Sequence, residues 1–288
     1  MADEPLPSAL SERDHQRLFW HEIAPLYFPE GRGRAAAPTA AFLGGQSGGG
    51  RTRLLHEVTA ALTAQGPTVV IGGADLRPFH PADGRLPRTA SLEAARATEP
   101  ETGRWVEMLI AEGRHHGVHL VIDSTLGRPE VFTHRAEALR EAGYRVEAHV
   151  LAVSPEWSWQ GVHQRRERLI AQGGASRAPT RDAHDAAVAG LLRTVAAIDA
   201  DGLADHVRVT TRAGQTIGSG RACASPYRLN WDEPIRGHAA CRMASTITLL
   251  RRRRSVWQER NRRSRRIMHG DFTYPRVPQA MAGPIRCI

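Results

Sequence analysis

The sequence predicts an α/β protein, a mostly parallel sheet with helices on both faces. Three observations carry that expectation. Short apolar runs alternate with amphipathic stretches of helical length between residues 40 and 210. The segments between successive apolar runs are long enough for crossover helices, as parallel strands require. The first apolar run enters a glycine cluster that opens directly into a helical pattern.

Taken in order, residues 11–28 place Leu18, Phe19, Ile23 and Tyr27 at helical spacing, with Ser11 as the cap and Pro25 set to bend or end the helix. Residues 29–38 read as a linker. Residues 40–43 form a short strand, 52–63 a helix and 68–71 a buried strand. A loop holding Pro78, Pro81 and Pro87 follows, then a helix over 102–116. VHLVI at 118–122 is a strand, 129–142 a helix stopped by Gly143, and 145–153 a strand. Pro155 opens a helix over 155–171, a favourable place for proline. Residues 173–180 are a loop, 181–198 a helix and 206–210 the last strand. Past residue 212 the pattern dissolves. The expected organisation is an N-terminal helix and linker (1–34), a core (35–212) and an irregular arginine-rich extension (213–288).

Gly45-Gln46-Ser47-Gly48-Gly49-Gly50-Arg51-Thr52 has the spacing of the Walker A motif GxxxxGK[ST], with arginine in the lysine slot. Such a loop turns backbone N–H groups around phosphate oxygens, and the following helix adds its positive end. A strand before it and a helix after it favour a P-loop NTPase-like core over a flexible glycine linker. Thr52 would place its hydroxyl on Mg²⁺. Arg51 leaves two readings open. Guanidinium is wider than ammonium, so either the loop has adjusted around it or nucleotide binding is impaired.

Composition narrows the classes. No run of about 18 apolar residues is present, so no membrane span is expected. Residues 1–16 lack the basic start and apolar core of a signal peptide. Three cysteines, all in the last quarter, argue against a disulfide scaffold and suit a cytoplasmic protein. The chain contains no lysine, so its 39 basic residues are all arginine. Residues 251–266 hold nine arginines and one glutamate, +8 of the chain's net +9. The basic character therefore belongs to one segment, a possible polyanion site or a basic tail without a dedicated partner.

Further motifs follow the loop. Asp75-Leu-Arg77-Pro-Phe-His80-Pro81 comes after the second strand. Pro100 to Glu107 opens a helix, and Asp123-Ser124-Thr125 ends the VHLVI strand. Arg165-Arg166-Glu167 precedes Ser176-Arg177-Ala178-Pro179-Thr180 and His184-Asp185. In this order they resemble the zeta toxin family, the P-loop small-molecule kinases of epsilon/zeta toxin–antitoxin systems, over about residues 12–210. The Asp75 segment is one residue shorter than the family's. Asp123 replaces a glutamate, and Gly127 stands where the family has an arginine.

The resemblance implies an ATP- or GTP-dependent phosphotransferase with Mg²⁺, acting on a UDP-amino sugar such as UDP-N-acetylglucosamine, with a small antitoxin as partner. Asp75 would be the general base, Glu107, Asp123 and Thr125 acceptor contacts, and Arg165 and Arg177 phosphate clamps. Asp123 would also reach Mg²⁺ through water. Read as residues alone, Asp75 is equally a loop aspartate, Glu107 an exposed helix glutamate, and Asp123 to Thr125 a capping turn. His80, before a proline in a rigid turn, is read as structural. Trp157 and Trp159 are read as helix packing. The competing functions are another P-loop kinase, of an antibiotic, a nucleotide or a nucleic-acid end, and a catalytically weak P-loop binder acting through its basic tail.

Overall fold

The computed structural model describes residues 10–82, 91–173 and 178–220, with side chains of 91–97 excepted. The predicted alternation is present. Helix α1 (Glu12–Leu18) starts at Ser11, whose hydroxyl oxygen accepts from the Asp14 N–H. It widens through a π-helical segment, Phe19–Ile23, into a last turn α2 (Ala24–Tyr27). Pro25 thus falls in the first turn of α2, where its missing N–H breaks no ladder. Strand β1 (Thr39–Gly44) leads through the glycine loop into α3 (Arg51–Thr63), and β2 (Thr68–Gly72) into the short α4 (Gly73–Leu76) and a 3₁₀ turn, Arg77–Phe79.

Helix α5 (Ser91–His116) begins well before the predicted 102 and carries Pro100 inside it. The helix start read at that proline is instead an interior position. Just beyond it, the Thr102 hydroxyl lies within hydrogen-bond reach of the carbonyls of Thr98 and Glu99. Next come β3 (His119–Asp123), α6 (Pro129–Glu141), β4 (Arg145–Leu151), α7 (Pro155–Ala171), α8 (Arg181–Asp201) and β5 (His206–Thr210). The sheet then gains β6 (Thr216–Gly220), beyond the point where the sequence pattern fades.

The strand order is β2-β3-β1-β4-β5-β6. All pairs are parallel except β5 with β6. Phe42 of β1 sits opposite Ile122 of β3 and Ala148 of β4. Alternation along β1 sends Ala41 and Leu43 to the face covered by Leu54, Val58 and Leu62 of α3. Ala40 and Phe42 go to the other face, with Trp105, Phe132 and Ile198. There Phe42 meets Phe132 edge-on at 4.8 Å, and burying each such ring is worth about 1.5–3 kcal/mol.

The N-terminal helix belongs to this second face. Leu18, Phe19 and Ile23 are buried in its core. His15 stacks on Trp105 at 5.0 Å, and the Trp105 indole N–H donates to the His15 carbonyl. His80 packs near the same indole and accepts from the Ala82 N–H, a structural placement as its sequence context implied. Trp157 differs from expectation: it is 65% exposed and packs no core.

The chain runs from β1 out to β2 on one side, and from β3 across β1 to β4 on the other, so the strand order reverses at β1. The crevice at the carboxyl ends of these strands is where open α/β sheets bind ligands.

Candidate active site

The phosphate loop fills that crevice. Gly48 and Gly50 have φ of +78° and +100°, a region that L side chains rarely adopt. Gly48 is also backed directly by α7: a Cβ there would lie 2.0 Å from the Ser158 carbonyl oxygen and 2.6 Å from the Val162 nitrogen. The approach is reciprocal, since a Cβ on Gly161 would lie 2.3 Å from the Gly48 oxygen. The buried Gln46 amide braces the loop from the same side, donating to the Val153 carbonyl at 2.8 Å and to Ser158 Oγ at 3.1 Å. Ser47 and Gly49 complete the turn, and the Gly49 N–H donates to the Gln46 carbonyl at 3.1 Å.

Arg51 opens α3 and bends back across the loop. Its Nη1 donates to the Gly45 carbonyl. Its Nε stands 2.8 Å from Asp123 Oδ1, an ion pair without hydrogen-bond alignment. Thr52, on the same first turn, is exposed.

Two adjoining strand ends bring the acidic groups together. Asp75 follows β2 and Asp123 ends β3. A Cβ on Gly72 would lie 2.8 Å from Asp75 Oδ2 and 3.8 Å from the Asp123 Cβ, so the two residues flank that glycine. Asp75 is open to solvent on one side. Partial burial of its other side, and then the Asp123 charge, raise its carboxyl above the ordinary range. Tyr27 is held above its usual phenol value by burial and by the Asp75 charge. Sequence reasoning counted Tyr27 only among the helix's apolar positions.

Thr125 follows Asp123 in a strained turn. Leu126 has φ +49°, unusual for a branched residue. The Thr194 hydroxyl on its carbonyl (2.7 Å) and the Ser124 hydroxyl on its N–H (3.2 Å) hold it there. Glu107 lies on α5 and is half-exposed, paired with Arg135 of α6, whose Nε donates to Oε1 at 2.9 Å. Arg165 is exposed on α7. Arg177 lies outside the described residues, as does the 251–266 segment.

A buried polar chain runs behind the loop, and the sequence offered only its His184-Asp185 pair as a signal. From Gln46 it passes to Ser158 Oγ, which faces His184 Nε2 at 2.9 Å. His184 Nδ1 faces Asp185 Oδ1 at 3.0 Å, and Arg181 Nε donates to Asp185 Oδ2 at 2.8 Å. Burial works to raise the Asp185 carboxyl, but hydrogen bonds from Arg181 and His184 outweigh it and hold it low. The Ser158 hydroxyl also lies 2.9 Å from the Pro155 carbonyl and 3.1 Å from the Ser154 carbonyl, at the start of α7. The order of groups is that of a hydrolase triad, yet Ser158 is fully buried and meets no substrate. The chain is a brace between the phosphate loop and α8.

Among the described residues no group of histidine, cysteine and acidic side chains is arranged to hold a metal by itself. No described helix is long and apolar enough to cross a membrane. Thr52 and Asp123 are oxygen donors flanking the loop, the kind that suits Mg²⁺.

A glycine phosphate loop after the central strand, in a parallel β2-β3-β1-β4-β5 order with carboxylates at the neighbouring strand ends, defines a P-loop kinase fold. The chain belongs to the zeta toxin family, whose profile matches residues 30–218. Toxin zeta of Enterococcus hirae is 29% identical over 191 residues, 66% of this chain and 66% of its own length. Toxin PezT of Streptococcus pneumoniae is 28% identical over 183 residues, 63% of this chain and 72% of its own length. The match thus spans about two thirds of the length of these curated relatives. A solved chain from the PezAT chromosomal toxin–antitoxin system of Streptococcus pneumoniae shares the fold, with a TM-score of 0.64 at 20% identity over 92% of this chain and 100% of that one. A chain of the AvrRxo1-ORF1:-ORF2 complex with ATP has a TM-score of 0.50 at 17% identity, over 75% of this chain and 74% of that one.

Proposed function

We propose that this protein is a zeta-toxin-like kinase that moves the γ-phosphate of ATP or GTP, with Mg²⁺, to a hydroxyl of a small molecule. The acceptor we propose is a UDP-amino sugar such as UDP-N-acetylglucosamine, and the setting a toxin held in check by a small antitoxin protein. The observation that carries this reading is the meeting of the phosphate loop with Asp75 and Asp123 at adjoining strand ends.

Phosphoryl transfer needs an aligned hydroxyl, a place for its proton and neutralisation of phosphate charge. Backbone N–H groups of residues 48 and 50–52 hold the phosphates, while Arg51, paired with Asp123, keeps the loop in place beside them. The acceptor oxygen bonds to the γ-phosphorus as the bond to the β,γ-bridging oxygen breaks, and the hydroxyl proton passes to Asp75. A carboxylate raised by burial and by Asp123 is a stronger base for that step. Thr52 and Asp123 are the groups we assign to Mg²⁺, which when bound neutralises phosphate charge. Glu107, which pairs with Arg135, and Thr125 we assign to the acceptor. Arg165 and Arg177 we assign to the transferring phosphate. The E. hirae and S. pneumoniae relatives named as toxins support the toxin role, and the AvrRxo1-ORF1:-ORF2 structure with ATP supports a nucleotide ligand.

The test is to incubate purified protein with Mg-ATP or Mg-GTP and a panel of nucleotide sugars and to read products by mass spectrometry. A phosphorylated UDP-amino sugar is the expected product. Phosphorylation of an antibiotic, nucleotide or nucleic-acid end instead would replace the acceptor. Absence of any nucleotide binding at millimolar concentration would replace the enzyme by a P-loop binding protein.

A further inference from the structure

Arg51 does not bring a free positive charge to the loop, because Asp123 stands 2.8 Å from its Nε. A bound triphosphate therefore needs cations from elsewhere, and the end of β5 supplies one. We propose that Arg212 is a nucleotide-binding residue of this site, contacting the phosphates at the rim of the loop. The inference rests on the nucleotide-binding reading given above.

Arg212 stands two residues beyond β5, at the same carboxyl edge of the sheet as the loop. Its side chain lies along Gly50, the last glycine of the motif. A Cβ on Gly50 would be 3.3 Å from Arg212 Cγ and 3.8 Å from its Nε. Gly50 thus does two things: it adopts the left-handed turn into α3, and it leaves room for the arginine stem. Arg212 is exposed and makes no hydrogen bond or ion pair with any described residue. It is an accessible cation beside the glycine loop.

Its position is also built. The turn after β5 is closed by the Thr211 N–H on the Gln215 carbonyl and the Gly214 N–H on the Thr211 carbonyl, both 2.9 Å. The Gln215 N–H donates to the Thr211 hydroxyl at 3.2 Å. Arg53, from the first turn of α3, lies across Gly214 of this turn, its Nη2 2.7 Å from where a Cβ would be. Gly50 and Gly214, both of positive φ, are thus each covered by an arginine of the other segment. An arginine stem already resting on the loop loses less freedom when it grips a phosphate, and guanidinium donates well to phosphate oxygens. Thr211 to Gln215 matches no motif, and nothing in the sequence ties it to residue 50.

Calorimetric titration of the full chain with Mg-ATP and with inorganic tripolyphosphate tests this, in wild type, Arg212→Ala and Arg212→Lys. The expected result is about tenfold weaker binding of both ligands by Arg212→Ala, the scale of one charged hydrogen bond, and most of the affinity retained by Arg212→Lys. Unchanged affinity in Arg212→Ala overturns the proposal. So does weaker ATP binding with tripolyphosphate unchanged, because the contact is then to sugar or base. Thermal melting of the unliganded variants confirms that they are folded. A wild type that binds neither ligand refutes the nucleotide-binding reading itself, a result distinct from either of these.

Discussion

Asp75 shows how a single residue can work against stability and for chemistry. Its carboxyl is raised by burial and by Asp123, so the neutral form is favoured in the folded chain. A group raised in this way contributes stability below its unfolded value and loses it as pH rises through the folded value. At neutral pH the ionised Asp75 is therefore a net cost, a small one because solvent screens its open side. Asp75→Asn should melt slightly higher than wild type at pH 7, with the gap closing in acid. It should bind Mg-ATP normally and lose about 10²–10⁴-fold in transfer rate, the usual worth of a general base. The acid limb of the wild-type rate profile should lie above the ordinary aspartate range. Unchanged turnover in the variant would remove Asp75 from the mechanism. Arg51 was legible only as a departure from lysine. Its geometry gives a physical reason for arginine, since one planar guanidinium reaches both the Gly45 carbonyl and Asp123.

The elements divide by what their patterns record. Strands β1 to β5 were readable as short apolar runs, helices α3, α6 and α8 by the apolar stripe each buries, and α7 by its opening at Pro155. The upper half of α5 was hidden by Pro100, and β6 by its mostly exposed Thr-Ile-Gly-Ser-Gly. Both depend on neighbours distant in sequence. So does the contact of the loop with α7, where Gly48 and Gly161 meet backbone to backbone. A lone glycine in a helix reads as a weakness, and only the fold tells one from another. Gly161→Ala puts a Cβ 2.3 Å from the Gly48 oxygen and must displace the loop. It should cost about 1–3 kcal/mol and weaken Mg-ATP binding. Gly103→Ala, within α5, meets nothing within 4 Å and should stabilise by about 0.5–1 kcal/mol with ATP affinity unchanged. Melting curves and ATP titration of the pair check both signs. Equal behaviour of the two variants would show that the loop does not rest on α7.

At the scale of the whole molecule, charged groups gather in two places. The carboxyl end of the sheet gathers the loop, Asp75, Asp123 and Arg212. On β4 and β5, beside α3, Glu147, His149, Arg208 and Glu57 pair with one another, with His149 Nε2 3.0 Å from Glu147 and Arg208 Nε 3.2 Å from His149 Nδ1. Charge is divided more sharply still. Residues 251–266 carry +8, and the other residues together carry +1. That division was fully legible, because net charge needs no fold to be read. It separates polyanion binding from phosphoryl transfer. A chain ending at Leu250 should keep Mg-ATP affinity and acceptor phosphorylation, since every described site residue precedes it. It should lose affinity for a single-stranded RNA oligomer. In the full chain that affinity should fall steeply between 50 and 200 mM salt, with a log–log slope of roughly −0.7 per phosphate neutralised. Fluorescence anisotropy across a salt series, run on both chains, measures this directly. RNA binding by the shortened chain that matches the full chain and ignores salt would place the contact in the folded core, and the basic segment would then have no part in it.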